Sequence, residues 1–459
     1  MKNFGILLPI FSLPNNYGIG DFGAEAYKFI DILKENEIEY WEVLPINPID
    51  SNNSPYSPIS SLAIEPKFIS IDHLKEIGLL KRAYKIECEE KIDYNLVKKT
   101  KDKFLRKAYK NFTKENKLYN EYRKYIKNCN TEYAKFMALK KSNKCGWLKF
   151  TKSYDEEEYS YQLFLQFIAQ YEWFKLKKYA NENGVKIIGD IPIYSNYESS
   201  DVYFNQNDFI LCNGKMSYVS GACPDEVDVY GQKWNQPVYS FDNQKLNNYK
   251  LFMEKYLYTD KLFDLIRIDH FRAFDNFYVV PVNGKPKDGI WLQGPGQSFF
   301  DKLFTKISSE KFVLEDIGKL RKQTVELREK YNLPGAKIFE YTFNFKTGQD
   351  EYINTSNEIV YPGNHDNNTI LGWYNSLNEK EKETLNKFLE NYKGTINQKI
   401  IKYLNEEPHK YLIVMLQDIL EQDAKSRINL PGKNENQWKY RLTDISEVNQ
   451  KLKYIMYTL

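Results

Sequence analysis

Eight short apolar runs, each followed by a loop rich in Gly, Pro, Asp or Asn, recur along the whole chain. They are Gly5–Pro9 (GILLP), Tyr40–Pro45 (YWEVLP), Lys186–Pro192 (KIIGDIP), Asp264–His270 (DLIRIDH), Lys311–Gly318 (KFVLEDIG), Gly335–Tyr341 (GAKIFEY), Glu358–Pro362 (EIVYP) and Tyr411–Asp418 (YLIVMLQD). Helix-like segments such as Tyr161–Asn183 and Lys319–Tyr331 separate most of them. Eight buried strands alternating with helices predict an α/β chain folded as a (β/α)8 barrel. Periodicity alone is also met by a doubly wound open sheet.

The 459 residues suffice for one such barrel, 1–459, with two insertions. Residues 72–159 are rich in Lys and Tyr with helical patterning, which predicts a helical insertion. Residues 195–258, rich in Asn, Asp, Gly and Tyr, follow a strand that should point at the active face. They read as a long functional loop over the cleft.

Charge narrows the partners. The 65 Lys and Arg against 62 Asp and Glu leave a net +3, which argues against a nucleic-acid or membrane-surface binder and suits an uncharged ligand. Five cysteines (Cys88, Cys129, Cys145, Cys212, Cys223) form no CxxC and no metal-ligand spacing, as expected of a reduced, cytoplasmic protein. The apolar start MKNFGILLPIF is broken by Pro9 and lacks a cleavage site, so it reads as a first core strand. The 37 Tyr and 28 Phe accompany abundant Lys, Asn and Ile, and this shared bias gives the aromatic content little functional weight.

Acids stand where a buried strand should have none. In DLIRIDH the strand period puts Leu265, Arg267 and Asp269 on one face. A parallel barrel strand is apolar on both faces, so the pair marks either the catalytic mouth of the barrel or a structural ion pair closing it. KFVLEDIG repeats the pattern with Glu315, followed by Asp316, and YPGNHDNNT offers His365 and Asp366. Three acids after the fourth, fifth and seventh runs would converge on one cavity. That is the equipment of retaining glycosidic-bond chemistry, whose two carboxyls stand about 5–5.5 Å apart. Arg267 beside Asp269 is expected to hold that acid ionised, and an apolar setting to keep Glu315 protonated.

Plainer roles compete for several of these residues. The DH and HD pairs at His270 and His365 lack the further ligands of a metal site. Asp201 suits a structural role, and Asp190 and Asp316 could serve either purpose. Trp291 and Trp373 suit packing. The Gly-Pro-Gly at Gly294–Gly296 lacks the Lys-Ser/Thr of a phosphate loop.

Nearly end to end, the chain resembles the amylomaltases, the 4-α-glucanotransferases of glycoside hydrolase family 77. The resemblance is carried by GILLPIFSLPNNYGIGDFG, YWEVLPINP, SPYSPISSLAIEP, GVKIIGDIPIYSNYESSDVYF, PDEVDVYGQKWNQPVY, LIRIDHFRAF, GPGQSFF, VLEDIG, LPGAKIF, YPGNHDNNT, QDIL, RINLPG and WKYR, in the family's order. It implies a nucleophile at Asp269, a general acid/base at Glu315 and a transition-state-stabilising acid at Asp366. It implies sugar contacts at Arg267, His365, Tyr56 and Asp190, an acceptor-side platform at Trp234 with Gln232 beside it, and a substrate-side place for Asp316. It also implies no cofactor and no required metal. Maltooligosaccharides and α-1,4-glucans would be donors, and glucose or maltooligosaccharide acceptors. An α-glucan hydrolase and a non-catalytic sugar-binding barrel are the alternatives.

Three motifs depart from the family. The family's Pro-Pro-Asp-Tyr-Phe-Ser reads Cys223-Pro224-Asp225-Glu226-Val227-Asp228, replacing two aromatics of a loop over the cleft. Asn-Trp reads Gln437-Trp438, and Gly-Thr-His-Asp reads Gly363-Asn364-His365-Asp366.

Overall fold

The computed structural model describes residues 3–86, 90–224, 229–351, 356–433 and 436–459. Each of the eight apolar runs contains a strand: β1 Phe4–Leu7, β2 Tyr40–Glu42, β3 Lys186–Ile191, β4 Leu265–Ile268, β5 Phe312–Leu314, β6 Gly335–Ile338, β7 Glu358–Tyr361 and β8 Tyr411–Met415. All are parallel neighbours in the order β5-β4-β3-β2-β1-β8-β7-β6. The two ends of that order meet where Leu314 N donates to Pro334 O at 2.9 Å. The sheet is a (β/α)8 barrel rather than a doubly wound one.

Helices cover the outside. Among them are α1 (Ala24–Glu35), α2 (Tyr94–Lys110), α3 (Tyr119–Asn128), α4 (Glu132–Asn143), α5 (Glu156–Glu182) and α6 (Lys250–Leu262). Helices α2 to α4 fall within residues 72–159, between β2 and β3; Val97, Phe104 and Leu105 of α2 and Phe136 of α4 join the same buried core as the barrel strands, and Tyr122 and Tyr125 of α3 pack against it. A space of about 940 Å³ lies between α2, α4, α5 and the segment after β2.

The stretch 195–258 holds more regular structure than its composition predicts. Strands Tyr218–Ala222 and Gln232–Pro237 pair antiparallel, and two further strands, Asn276–Pro281 and Ile290–Gln293, extend them into a four-stranded sheet. Gln232–Pro237 reads QKWNQP and lacks apolar alternation, which is why periodicity passes over it.

A buried ion pair ties α2 to the barrel. Lys101 and Asp21 are 1% and 3% exposed, and Lys101 Nζ donates to Asp21 Oδ2 at 3.1 Å and to Lys67 O at 2.6 Å. Removing one partner strands the other charge away from water. Lys101→Met is expected to cost about 3–5 kcal/mol, read as a fall in the denaturation midpoint by tryptophan fluorescence; an unchanged midpoint would show that the pair contributes nothing.

Candidate active site

Asp190 in β3 is the register partner of Arg267 in β4, so the strand pairing itself sets an acid beside a base. Arg267 Nη1 donates to Asp190 Oδ2 at 2.6 Å, Nη2 lies 3.1 Å from Glu315 Oε2, and Asp269 Oδ1 is farther away at 3.8 Å. On the other side of the barrel, Tyr361 of β7 donates its hydroxyl to Glu42 of β2 at 2.9 Å. The interior is therefore polar near the C-terminal ends of the strands, where barrel sites form.

Asp269 follows β4 and Glu315 follows β5, and their backbones are laced together. Glu315 N donates to Ile268 O at 2.9 Å and Phe271 N to Glu315 O at 2.8 Å. Between them His270 takes a left-handed φ of 47°, uncommon for a residue with a side chain. That turn accompanies a hydrogen bond from the His270 amide to Glu315 Oε2 at 2.9 Å. On the other side Ile193 N donates to Asp269 Oδ2 at 3.1 Å.

These partners divide the two carboxyls in the opposite sense to the sequence expectation. Burial would raise Glu315, but the Arg267 guanidinium and the His270 amide outweigh it and hold the group down at about 2. Burial, then the charges of Glu315 and Asp190, push Asp269 well above the usual carboxylate range. Arg267 sits beside Asp269 in sequence, yet in space it is nearer to Glu315. The pair, within hydrogen-bonding reach of each other, is best described as holding one proton between them.

His365 and Asp366 follow β7 and are gripped by the segment 427–429. Arg427 donates from Nη2 to Asp366 O at 2.5 Å and from Nε to Asn429 O at 2.6 Å. Asn429 donates from Nδ2 to Asp366 Oδ1 at 2.6 Å and from its amide to His365 O at 3.2 Å. Burial lowers His365 below the ordinary imidazole value, so it is neutral near pH 7. Its ring stacks on Tyr56 with centroids 5.0 Å apart and planes 14° apart, and Trp438 tilts against both. The Tyr56 hydroxyl donates to Asp190 Oδ2 at 2.6 Å. Trp234 meets His270 edge-on at 5.1 Å, and its Nε1 donates to Gln232 Oε1 at 2.8 Å.

A cleft of about 440 Å³ opens over this set, lined by Tyr56, Gln232, Trp234, Asp269, Glu315 and Asp366 among others. Arg267, His365 and Asp190 are buried against those side chains. Asp316 is a correction: it is not brought into the cleft. Its Oδ2 accepts from Arg328 at 2.8 Å and its Oδ1 from the Ala336 amide at 2.7 Å, because it faces away from its neighbour Glu315 and braces the start of β6. Asp201 is likewise occupied, by the hydroxyls of Ser61 and Ser195. The altered residues Glu226, Val227 and Asp228 lie outside the described residues.

Arg427 and Asn429 escaped residue-by-residue reasoning, although RINLPG was a visible motif. Their work is done at long range, and no local pattern announces it. The Ile193 amide could not have been found, since a backbone donor has no signature in sequence. Among the described residues no group of three His, Cys, Asp or Glu is arranged to hold a metal ion.

Residues 8–447 match the family model described as 4-alpha-glucanotransferase. A 4-alpha-glucanotransferase of Aquifex aeolicus is 32% identical, with 99% of this chain and 98% of that protein aligned. One from Clostridium butyricum is 34% identical over 95% of both. Among solved structures, the amylomaltase from Streptococcus agalactiae in complex with acarbose superposes with a TM-score of 0.92 at 28% identity, covering 99% of this chain and 98% of that one. The amylomaltase from Corynebacterium glutamicum, at 16% identity and a TM-score of 0.82, shares the fold over 99% of this chain and 74% of its own.

The shared proton has a spectroscopic consequence. Glu315→Gln removes the charge that helps raise Asp269 and releases Arg267 towards it, so Asp269 should titrate at lower pH than in the parent chain. Carboxyl ¹³C NMR or difference infrared spectroscopy against pH would read the change, and an unmoved Asp269 would refute the coupling.

Proposed function

The chain belongs to glycoside hydrolase family 77, the 4-alpha-glucanotransferases, and on that premise we propose how its carboxylates divide the reaction. The enzyme transfers segments of α-1,4-glucan to a sugar 4-hydroxyl. In our reading the Asp269 carboxylate attacks the anomeric carbon of the donor. The bond from that carbon to the leaving O4 breaks, its electron pair stays on the oxygen, and Glu315 supplies the proton. The acceptor 4-hydroxyl then gives its proton back to Glu315, attacks the same carbon and displaces Asp269.

The observation that carries this reading is the placement of Asp269 and Glu315 together at the cleft beneath one guanidinium, 3.8 and 3.1 Å from it, an arrangement in which the pair holds one proton. Attack requires the proton on Glu315, whereas the free site favours it on Asp269. Both arrangements carry the same charge, so the change needs no proton from solvent. A glycosidic oxygen accepting from Glu315, together with positive charge developing at the anomeric carbon, would favour the reactive arrangement in the complex. The Asn429 bond to Asp366 Oδ1 at 2.6 Å fixes the third acid across the cleft, where we assign it to two sugar hydroxyls in the transition state.

Neutral His365, stacked on Tyr56, suits the same sugar: an imidazole can donate to or accept from a hydroxyl without adding charge. Trp234 and Gln232 on the far side of His270 suit the acceptor, an aromatic face beside a polar edge. Asp190 acts through Arg267 and Tyr56, both of which it holds. We take maltooligosaccharides and α-1,4-glucans as donors and glucose or a maltooligosaccharide as acceptor. The acarbose complex of the streptococcal relative supports an oligosaccharide-shaped cleft. A cytoplasmic setting rests on the four described cysteines being free thiols.

Incubation with maltotriose is expected to give glucose together with a ladder of longer oligosaccharides; shorter products alone would mean hydrolysis. Asp269→Asn should lower turnover at least about ten-thousandfold, with binding of the oligosaccharide by calorimetry retained. Near-normal turnover in that variant would remove Asp269 from the nucleophile's role.

A further inference from the structure

Helix α6 carries a lysine where its neighbours are apolar. Lys255 is 3% exposed and lies among Leu251, Phe252, Tyr256 and Leu262, all buried on the same helix. Among the described residues it makes no ion pair. Its Nζ donates instead to two consecutive backbone carbonyls, Pro192 O and, at 3.0 Å, Ile193 O. Tyr239 donates its hydroxyl to the same Ile193 carbonyl at 2.9 Å. The amide of that residue is the donor, at 3.1 Å, to Asp269 Oδ2.

A buried ammonium without a counter-ion is costly, and this one is placed directly behind the loop that touches the nucleophile. We propose that Lys255 is a positioning residue for the transfer reaction, holding the Ile193 amide on Asp269 and biasing the Asp269–Glu315 proton towards Glu315 with its positive charge. This inference rests on the assignment of Asp269 as nucleophile. It adds a second cation to a site whose first, Arg267, is nearer to Glu315 than to Asp269.

The groups around Lys255 fix how it responds to pH. Burial lowers its ammonium to about 8, against the opposing attraction of Asp201 from the short helix Ser200–Phe204 after β3 and Asp269 from the end of β4. Tyr239, which shares the Ile193 carbonyl, and Tyr256 on α6 are both buried and held well above the usual phenol range, so neither changes charge near pH 8. The charge on Lys255 is present below about pH 8 and lost above it. As it goes, ionised Asp269 loses a favourable partner.

The test compares kcat for maltotriose disproportionation in the parent enzyme, Lys255→Met and Lys255→Arg from pH 5 to 10. Lys255→Met is expected to lower kcat roughly tenfold at pH 6 with little change in KM. The parent should fall towards the Met variant's rate above pH 8, so that their ratio approaches one. Lys255→Arg should keep most of the activity and move the alkaline limb upward. A parent-to-Met ratio that stays constant across pH, or a Lys255→Arg limb at the parental position, overturns the proposal and leaves packing as the residue's whole role. Should Lys255→Met fail to fold, the Lys255→Arg limb decides alone. Asp269→Asn in the same assay separates the two readings. If it retains turnover, the nucleophile assignment fails and takes this inference with it. If it is inactive while the ratio is flat, this inference alone fails.

Discussion

One guanidinium holds the site together. Arg267, 3% exposed, is within ion-pair distance of Asp190, Asp269 and Glu315, and its charge also lowers buried Glu42. Four carboxyls outnumber the two cations, Arg267 and Lys255, and in a dry interior they cannot all ionise, since each added like charge is disfavoured at low dielectric. Protons must make up the difference. Glu42, raised to about 7 mainly by burial, keeps its proton over part of the neutral range, and the Asp269–Glu315 pair keeps one of its own. The acid needed for leaving-group protonation follows from this excess of carboxyls over cations.

The remaining polar groups fit the same constraint. His365 is neutral, Tyr56 and Tyr361 offer hydroxyls, and Ile193 and His270 offer amides. Each contributes a dipole without adding to the charge. Such fixed dipoles, aimed at positions where charge develops, are the arrangement that stabilises a transition state without reorganisation.

The barrel was legible because its strands are short apolar runs that end in loop-forming residues, and all eight were placed. The acids were legible because Arg267, Asp269 and Glu315 violate the rule that parallel barrel strands are apolar on both faces. The substrate-side place expected of Asp316 is not met, because its side chain points away from that of Glu315. Residues directly before and after one another at a strand end face opposite ways, and Asp316 turned to Arg328 and the Ala336 amide. The allocation of the proton was misjudged for a related reason. Which carboxyl Arg267 favours depends on the reach of its side chain between strands, and the linear order of DLIRIDH says nothing about that. Gln232–Pro237 is not legible as a strand because QKWNQP lacks apolar alternation, even though its partner, Tyr218–Ala222, lies close by in sequence.

The same charge constraint bears on the ligand. Asp190 Oδ1 and His365 Nδ1 are buried and have no hydrogen-bond partner among the described residues, although a buried polar atom left unpaired costs about 1–3 kcal/mol. Folding alone gives no reason to keep two of them side by side against Tyr56. A cationic ligand group there would satisfy Asp190 but, added to Arg267 and Lys255, would lower the carboxyl pair and release the proton that glycosidic cleavage requires. A ligand rich in hydroxyl groups can hydrogen-bond to the cleft-lining Tyr56, Gln232 and Asp366 while leaving the charge unaltered. The excess of carboxyls over cations therefore points to one kind of substrate, neutral and polyhydroxylated, whose binding supplies hydrogen bonds without disturbing the proton shared by Asp269 and Glu315.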